Sequence, residues 1–144
     1  MLDVLEQGEA AGDLHSREYE AAAMVFLKRH LCRLDPWPDS VVRSMKNGME
    51  NPTPYQTIQG PNEFTFDGNL KDWDRTYRLS EISVPTLITV GRHDELTPAC
   101  AETLLSGIPN SQLVVFEYSA HVSHIEEQDK FLQTLRAFLD TVVV

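Results

Sequence analysis

With 144 residues, 42% of them hydrophobic and 24% charged, the chain is long enough for one ordinary domain with its own core and has the composition of a soluble globular protein. A formal net charge of −10, with the twelve Lys and Arg scattered rather than gathered in a stripe, opposes binding to phosphate backbones, and no apolar run approaches the length of a bilayer span. Neither nucleic acid nor membrane is an expected partner, and the two cysteines, Cys32 and Cys100, follow no metal or redox spacing, so a reducing cytoplasm is the expected compartment.

Residues 1 to about 48 read as helical, most clearly where Ala23, Phe26, Leu27, His30, Leu31 and Leu34 repeat at i, i+3, i+4, i+7, i+8 and i+11 and so share one face. The first twenty residues lack a basic segment followed by an apolar one, so they do not read as an export signal. Asp35-Pro36-Trp37-Pro38 stops the helical run, and Asp39 or Ser40 is placed to cap a short helix holding Val41, Val42 and Met45. From Asn51 to about Leu79 the periodicity fails. Pro52, Pro54, Gly60, Pro61 and Gly68 punctuate that stretch, yet Tyr55, Phe64, Phe66, Trp73 and Tyr77 make it too aromatic for disorder, which predicts an ordered connection.

Beyond it the pattern becomes β-α-β-α. Val84 to Gly91 is a β-branched apolar run with Pro85 at its entrance, as a buried parallel strand would be. Thr97 can then cap a helix with Pro98 at its first position and Ala101, Leu104, Leu105 and Ile108 as its buried stripe, with Gly107 near its end. Gln112 to Phe116 is a second strand, and a last helix carries Ile125, Phe131, Leu132, Leu135, Phe138, Leu139 and Val142, with Glu126 and Glu127 suited to its positive end. Two parallel strands need further neighbours, so the sheet is expected to be incomplete in this chain.

Reactive groups of parallel α/β sheets collect at the carboxyl ends of strands. Asp94 lies just after the first strand and His121 just after the second. Such a carboxylate can fix an imidazole's tautomer and stabilise the imidazolium formed in acyl transfer. An Asp in a glycine turn is also a common turn former, so taken alone the pair leaves catalysis and a structural turn both open. The order acid before histidine is that of the last two members of an α/β-hydrolase triad.

The succession Gly60-Pro61-Asn62-Glu63-Phe64, Lys71-Asp72-Trp73-Asp74, Val84 through Pro98, and Ser119-Ala120-His121-Val122-Ser123-His124-Ile125-Glu126-Glu127 resembles the C-terminal part of proline iminopeptidases (prolyl aminopeptidases). Phe26 to Leu34 resembles their helical cap, so the likeness covers nearly the whole chain. It implies the C-terminal part of an α/β-hydrolase fold, parallel strands with flanking helices, preceded by a helical cap: residues 1–79 as cap and 80–144 as the last strands and helices of the core. By the same resemblance Asp94 is the triad acid and His121 the base. His124, at a helix start, takes a structural or supporting role, His93 is a turn residue, and His15 and His30 are ordinary cap residues. Glu63 and Glu95 are implied to bind the protonated α-amino group of a peptide substrate with a free N-terminus, a task that paired carboxylates in a dry pocket perform strongly. Without the family both read as loop or turn acids.

No Gly-x-Ser-x-Gly nucleophile elbow and no His-Gly oxyanion loop occurs among these residues. The chain is therefore expected to lack activity by itself and to need a missing N-terminal half. No metal or organic cofactor is implied. The expected activity is release of N-terminal proline, or another N-terminal residue, by a serine exopeptidase. The alternatives are a hydrolase of amino-acid amides, esters or other small acyl compounds, and a non-catalytic remnant that serves as an interaction module.

Overall fold

The computed structural model describes residues 1–142; Val143 and Val144, at the end of the expected 80–144 core region, lie outside the described residues. The chain forms two compact units that do not follow chain order. The first gathers Met1–Val25 and Asp35–Asp74, and the second Phe26–Leu34 and the chain from Arg75 onward.

The first unit contains α1 (Leu2–Ala11), most of α2 (Arg17–His30), α3 (Asp39–Glu50) and α4 (Thr53–Ile58). Leu5, Tyr19 and Ala22 are its buried cluster, with Leu14, Ala23 and Phe64 packed on them and the Tyr19 and Phe64 rings meeting edge to face. The buried Tyr19 hydroxyl donates to the Glu9 carboxylate and accepts from Asn62 Nδ2 at 2.8 Å. Burial, together with the Glu9 carboxylate, pushes the phenol well above its ordinary pKa and keeps it a donor. α3 differs in detail from expectation: it is entered from Pro38 in extended conformation, and Asp39 lies in its first turn instead of capping it. Fixed φ at Pro38 shapes the entry, and the Pro38 carbonyl accepts from Val41 and Val42.

The second unit is a small parallel sheet flanked by helices. A 3₁₀ turn at Thr76–Glu81 leads to β1 (Thr86–Gly91), α5 (Pro98–Gly107), β2 (Ser111–Phe116), α6 (Ser123–Glu126) and α7 (Gln128–Val142). β1 and β2 pair in parallel from Thr86↔Ser111 to Gly91↔Phe116. Ile88 and Val90 face Ala101 of α5 with Leu113 and Val115 beside them. Phe116, of opposite parity, is fully buried against Phe131 of α7 on the other face. α5 has Pro98 at its first position, as the sequence predicts, and Thr97 at the N-cap position, where its side chain makes no capping bond.

Two boundaries move. β1 starts at Thr86, whose N–H bonds the Asn110 carbonyl, because Pro85 has no N–H to give a ladder. The expected last helix is broken into α6 and α7 at Glu127, so Ile125 belongs to a separate turn. Among the described residues β1 pairs with β2 alone, and no helix is long and apolar enough to cross a membrane.

Candidate active site

β1 and β2 end side by side at Gly91 and Phe116, which delivers two loops to one place: 92–97, with Asp94 and Glu95, and 117–122, with His121. Gly91 is required there. A Cβ on it would lie 2.1 Å from the carbonyl oxygen of Ala120 and 2.6 Å from that of Ser119, so any side chain would push the two loops apart. Across this close approach the His93 N–H donates to Ser119 O at 3.0 Å and the Arg92 N–H to Phe116 O at 2.8 Å. Further out the Arg92 guanidinium grips Glu117 through two bonds of 2.7 and 2.8 Å, which holds the Glu117 carboxyl below its usual range.

His121 Nδ1 lies 3.0 Å from Asp94 Oδ1. A carboxylate offers no proton, so Nδ1–H is the donor and Nε2 is left with its lone pair to accept one. The Asp94 side chain is 8% exposed and the His121 side chain 41%, an inner acid and an outer imidazole open to an incoming group. Asp94 Oδ1 also accepts the Leu96 N–H at 2.9 Å, which fixes the carboxylate's orientation. Glu95 Oε1 stands 3.8 Å from the same Nδ1 with its side chain 16% exposed, so Glu95 is a second carboxylate beside the imidazole and not a solvated loop acid. A cavity of about 300 Å³ opens beside the pair, lined by Asp94, His121 and apolar side chains of β1, α5 and α7.

The structure thus brings a carboxylate oxygen of Asp94 and one of Glu95 each within 4 Å of His121 Nδ1. Glu63 belongs to the first unit, where Gln59 Nε2 donates to its Oε2 at 3.1 Å. Its loop is built tightly: Gly60 has φ 144°, a Cβ there would meet Thr65 O at 2.2 Å, and Asn62 Oδ1 accepts the N–H groups of Phe64 and Thr65 at 2.8 Å each. His124 sits in α6 with its ring on Phe131, centroids 5.9 Å apart.

Three residues that support the pair were read otherwise from sequence. Glu126 and Glu127, suited to a helix N-terminus, turn back onto the histidine loop. Glu126 accepts the Ala120 N–H at 2.7 Å, and Glu127 accepts the Tyr118 N–H at 3.0 Å and the Ser119 hydroxyl at 2.6 Å. Burial raises the Glu127 carboxyl, but Ser119, Tyr118 and Lys130 outweigh it and hold the group below its ordinary value. His30, expected to be an ordinary cap residue, touches both loops: its Nδ1 lies 2.9 Å from His93 O, and its own carbonyl accepts the His121 N–H at 3.1 Å. The helical repeat through His30 signalled burial, and nothing in it signalled a partner sixty residues away. Among the described residues no group of three or more His, Cys, Asp or Glu is arranged to hold a metal ion.

A proline iminopeptidase of Saccharolobus solfataricus is 42% identical over 139 residues, 96% of this chain and 44% of that protein. The chain is homologous to the proline iminopeptidases. It superposes on the crystal structure of VinJ with a TM-score of 0.92 at 38% identity, covering 98% of this chain and 48% of that one. The crystal structure of a proline iminopeptidase from Mycobacterium smegmatis gives 0.87 at 36% identity, with 96% and 46% covered. The chain spans about half the length of the curated relatives it matches. No family model matches it.

Proposed function

We propose that this chain is the C-terminal portion of a serine exopeptidase that releases an N-terminal residue, proline above all, and that it contributes the acid and the base of the triad. The observation that carries this reading is the 3.0 Å contact between a buried Asp94 and a half-exposed His121 at the ends of adjacent parallel strands. Residues 1–79 serve as cap and 80–144 as the end of the hydrolase core. A serine on a partner half attacks the carbonyl, His121 Nε2 takes its proton and returns it to the leaving amine, and Asp94 holds the ring and stabilises the imidazolium. Glu95, beside that ring, and Glu63 hold the substrate's ammonium group. The homology with proline iminopeptidases supports the substrate class, and β1, paired on one side only among the described residues, supports the need for further strands.

The test is a hybrid in which this chain replaces the matching half of the Saccharolobus solfataricus relative, assayed on a proline arylamide. The hybrid is expected to turn over, and Asp94→Asn and His121→Ala each to lower kcat by about 10⁴-fold. An active hybrid indifferent to both substitutions overturns the assignment. One that hydrolyses acyl esters but not the arylamide assigns the site to the ester hydrolases instead.

A further inference from the structure

Asp94 and His121 stand on separate loops, and a hydrogen bond between two loops is only as well defined as the loops' mutual position. What sets that position is partly Gly91, which lets the loops touch, and partly a segment far away in sequence. Residues 26–34 pack in the second unit. The His30 and Leu31 carbonyls accept the N–H groups of His121 and Val122 at 3.1 and 3.2 Å, and the Arg33 N–H donates to Glu126 Oε1 at 2.7 Å, the same carboxylate that holds Ala120. From this segment the His30 side chain reaches the other loop, through Nδ1 to the His93 carbonyl at 2.9 Å. A carbonyl accepts only, so His30 carries its proton on Nδ1. The ring is steadied by Phe26, with ring centroids 4.7 Å apart.

We infer that His30 is a positioning residue that ties the acid loop to the base loop, its ring holding the residue before Asp94 and its backbone carbonyl holding His121 itself. It acts through the His93 carbonyl and the His121 N–H, and takes no part in the reaction. It sets the distance across which Asp94 selects the Nδ1–H tautomer of His121, and so the availability of Nε2 as a base. The inference rests on the triad reading above, and its test separates the two.

The test needs no turnover. Long-range ¹H–¹⁵N spectra of the ¹⁵N-labelled full chain, at roughly pH 8, report which nitrogen of each histidine is protonated. In the wild type both His30 and His121 are expected as Nδ1–H tautomers. His30→Phe keeps the ring and its packing on Phe26 but loses the donor, and His121 is expected to shift toward the Nε2–H form. His30→Asn places an amide N–H at the same number of bonds from the backbone and is expected to restore the wild-type His121 signal. Should wild-type His30 carry its proton on Nε2, the tie is absent and the inference is overturned without any variant. If wild-type His121 is paired and the Phe variant leaves it equally so, or if Asn fails where Phe fails, His30 does not position the pair. If wild-type His121 itself lacks the Nδ1–H form, the triad reading falls first and this assignment with it.

Discussion

At the scale of single residues the two neighbouring histidines differ by what their rings meet. His121 meets Asp94, whereas His124 meets the Phe131 ring from the start of α6. In the active hybrid His121→Ala is therefore expected to remove nearly all acylation and His124→Ala to cost far less, a ranking read directly from kcat/KM on the arylamide; the reverse ranking would exchange their roles. The carboxylates admit a sharper test because their proposed partner is a cation. Glu63→Gln or Glu95→Gln removes a charge-assisted contact worth roughly 1.5–3 kcal/mol, about ten- to a hundredfold in kcat/KM. The loss is expected only on substrates with a free amine. Since Glu95 also stands 3.8 Å from His121 Nδ1, a loss of equal size on an N-acetylated substrate would show it acting on the base instead. The positions of Asp94 and His121 after the two strands were legible in sequence, whereas the pattern alone left catalysis and a structural turn both open and only the resemblance implied their roles. The contacts of His30 were not legible, since a histidine within an apolar helical face gives no sign of the backbone it will meet.

At the scale of elements, the two loops are held by contacts that leave little room for change. Gly91→Ala puts a methyl group against backbone carbonyls that cannot rotate away, and a destabilisation of about 1–3 kcal/mol is expected by denaturant titration, with loss of the Nδ1–H signal of His121. Wild-type stability in that variant would mean the loops sit farther apart than described. Glu127 gives a pH signature. Its carboxyl is depressed below the ordinary 4.5 in the fold, so the unfolded chain binds its proton first. The stability from its bonds to Ser119 and Tyr118 is fully present above about pH 4.5 and drains away as pH falls through the lower folded value. The difference in unfolding free energy between wild type and Glu127→Gln is expected to shrink from roughly pH 6 to pH 3, and a difference independent of pH would remove Glu127 from the loop's support. The break between α6 and α7 follows from the same contacts. Glu126 and Glu127 suit the start of a helix by charge, and sequence alone could not show that they satisfy the N–H groups of the histidine loop.

At the scale of the whole molecule, a chain that on the proposed reading supplies the acid and the base, and that has no Gly-x-Ser-x-Gly, is expected to leave a proline arylamide unhydrolysed, and turnover by homogeneous 144-residue protein would overturn the triad assignment. The sequence by itself determined the β-α-β-α order, the strand cores, the Thr97-Pro98 helix start and the two strand-end residues Asp94 and His121, because these follow from periodicity, proline chemistry and local order along the chain. Only the tertiary structure decided that residues 26–34 pack with the acid and base loops, that Gly91 is the point where those loops touch, and that Glu95 is sheltered beside the imidazole. Those are contacts between segments separated by up to ninety-three positions, as from Arg33 to Glu126. A hydrogen bond of that span leaves no periodic trace in either segment, because each partner is chosen by where the sheet and its helices bring the backbone and not by its neighbours in the chain.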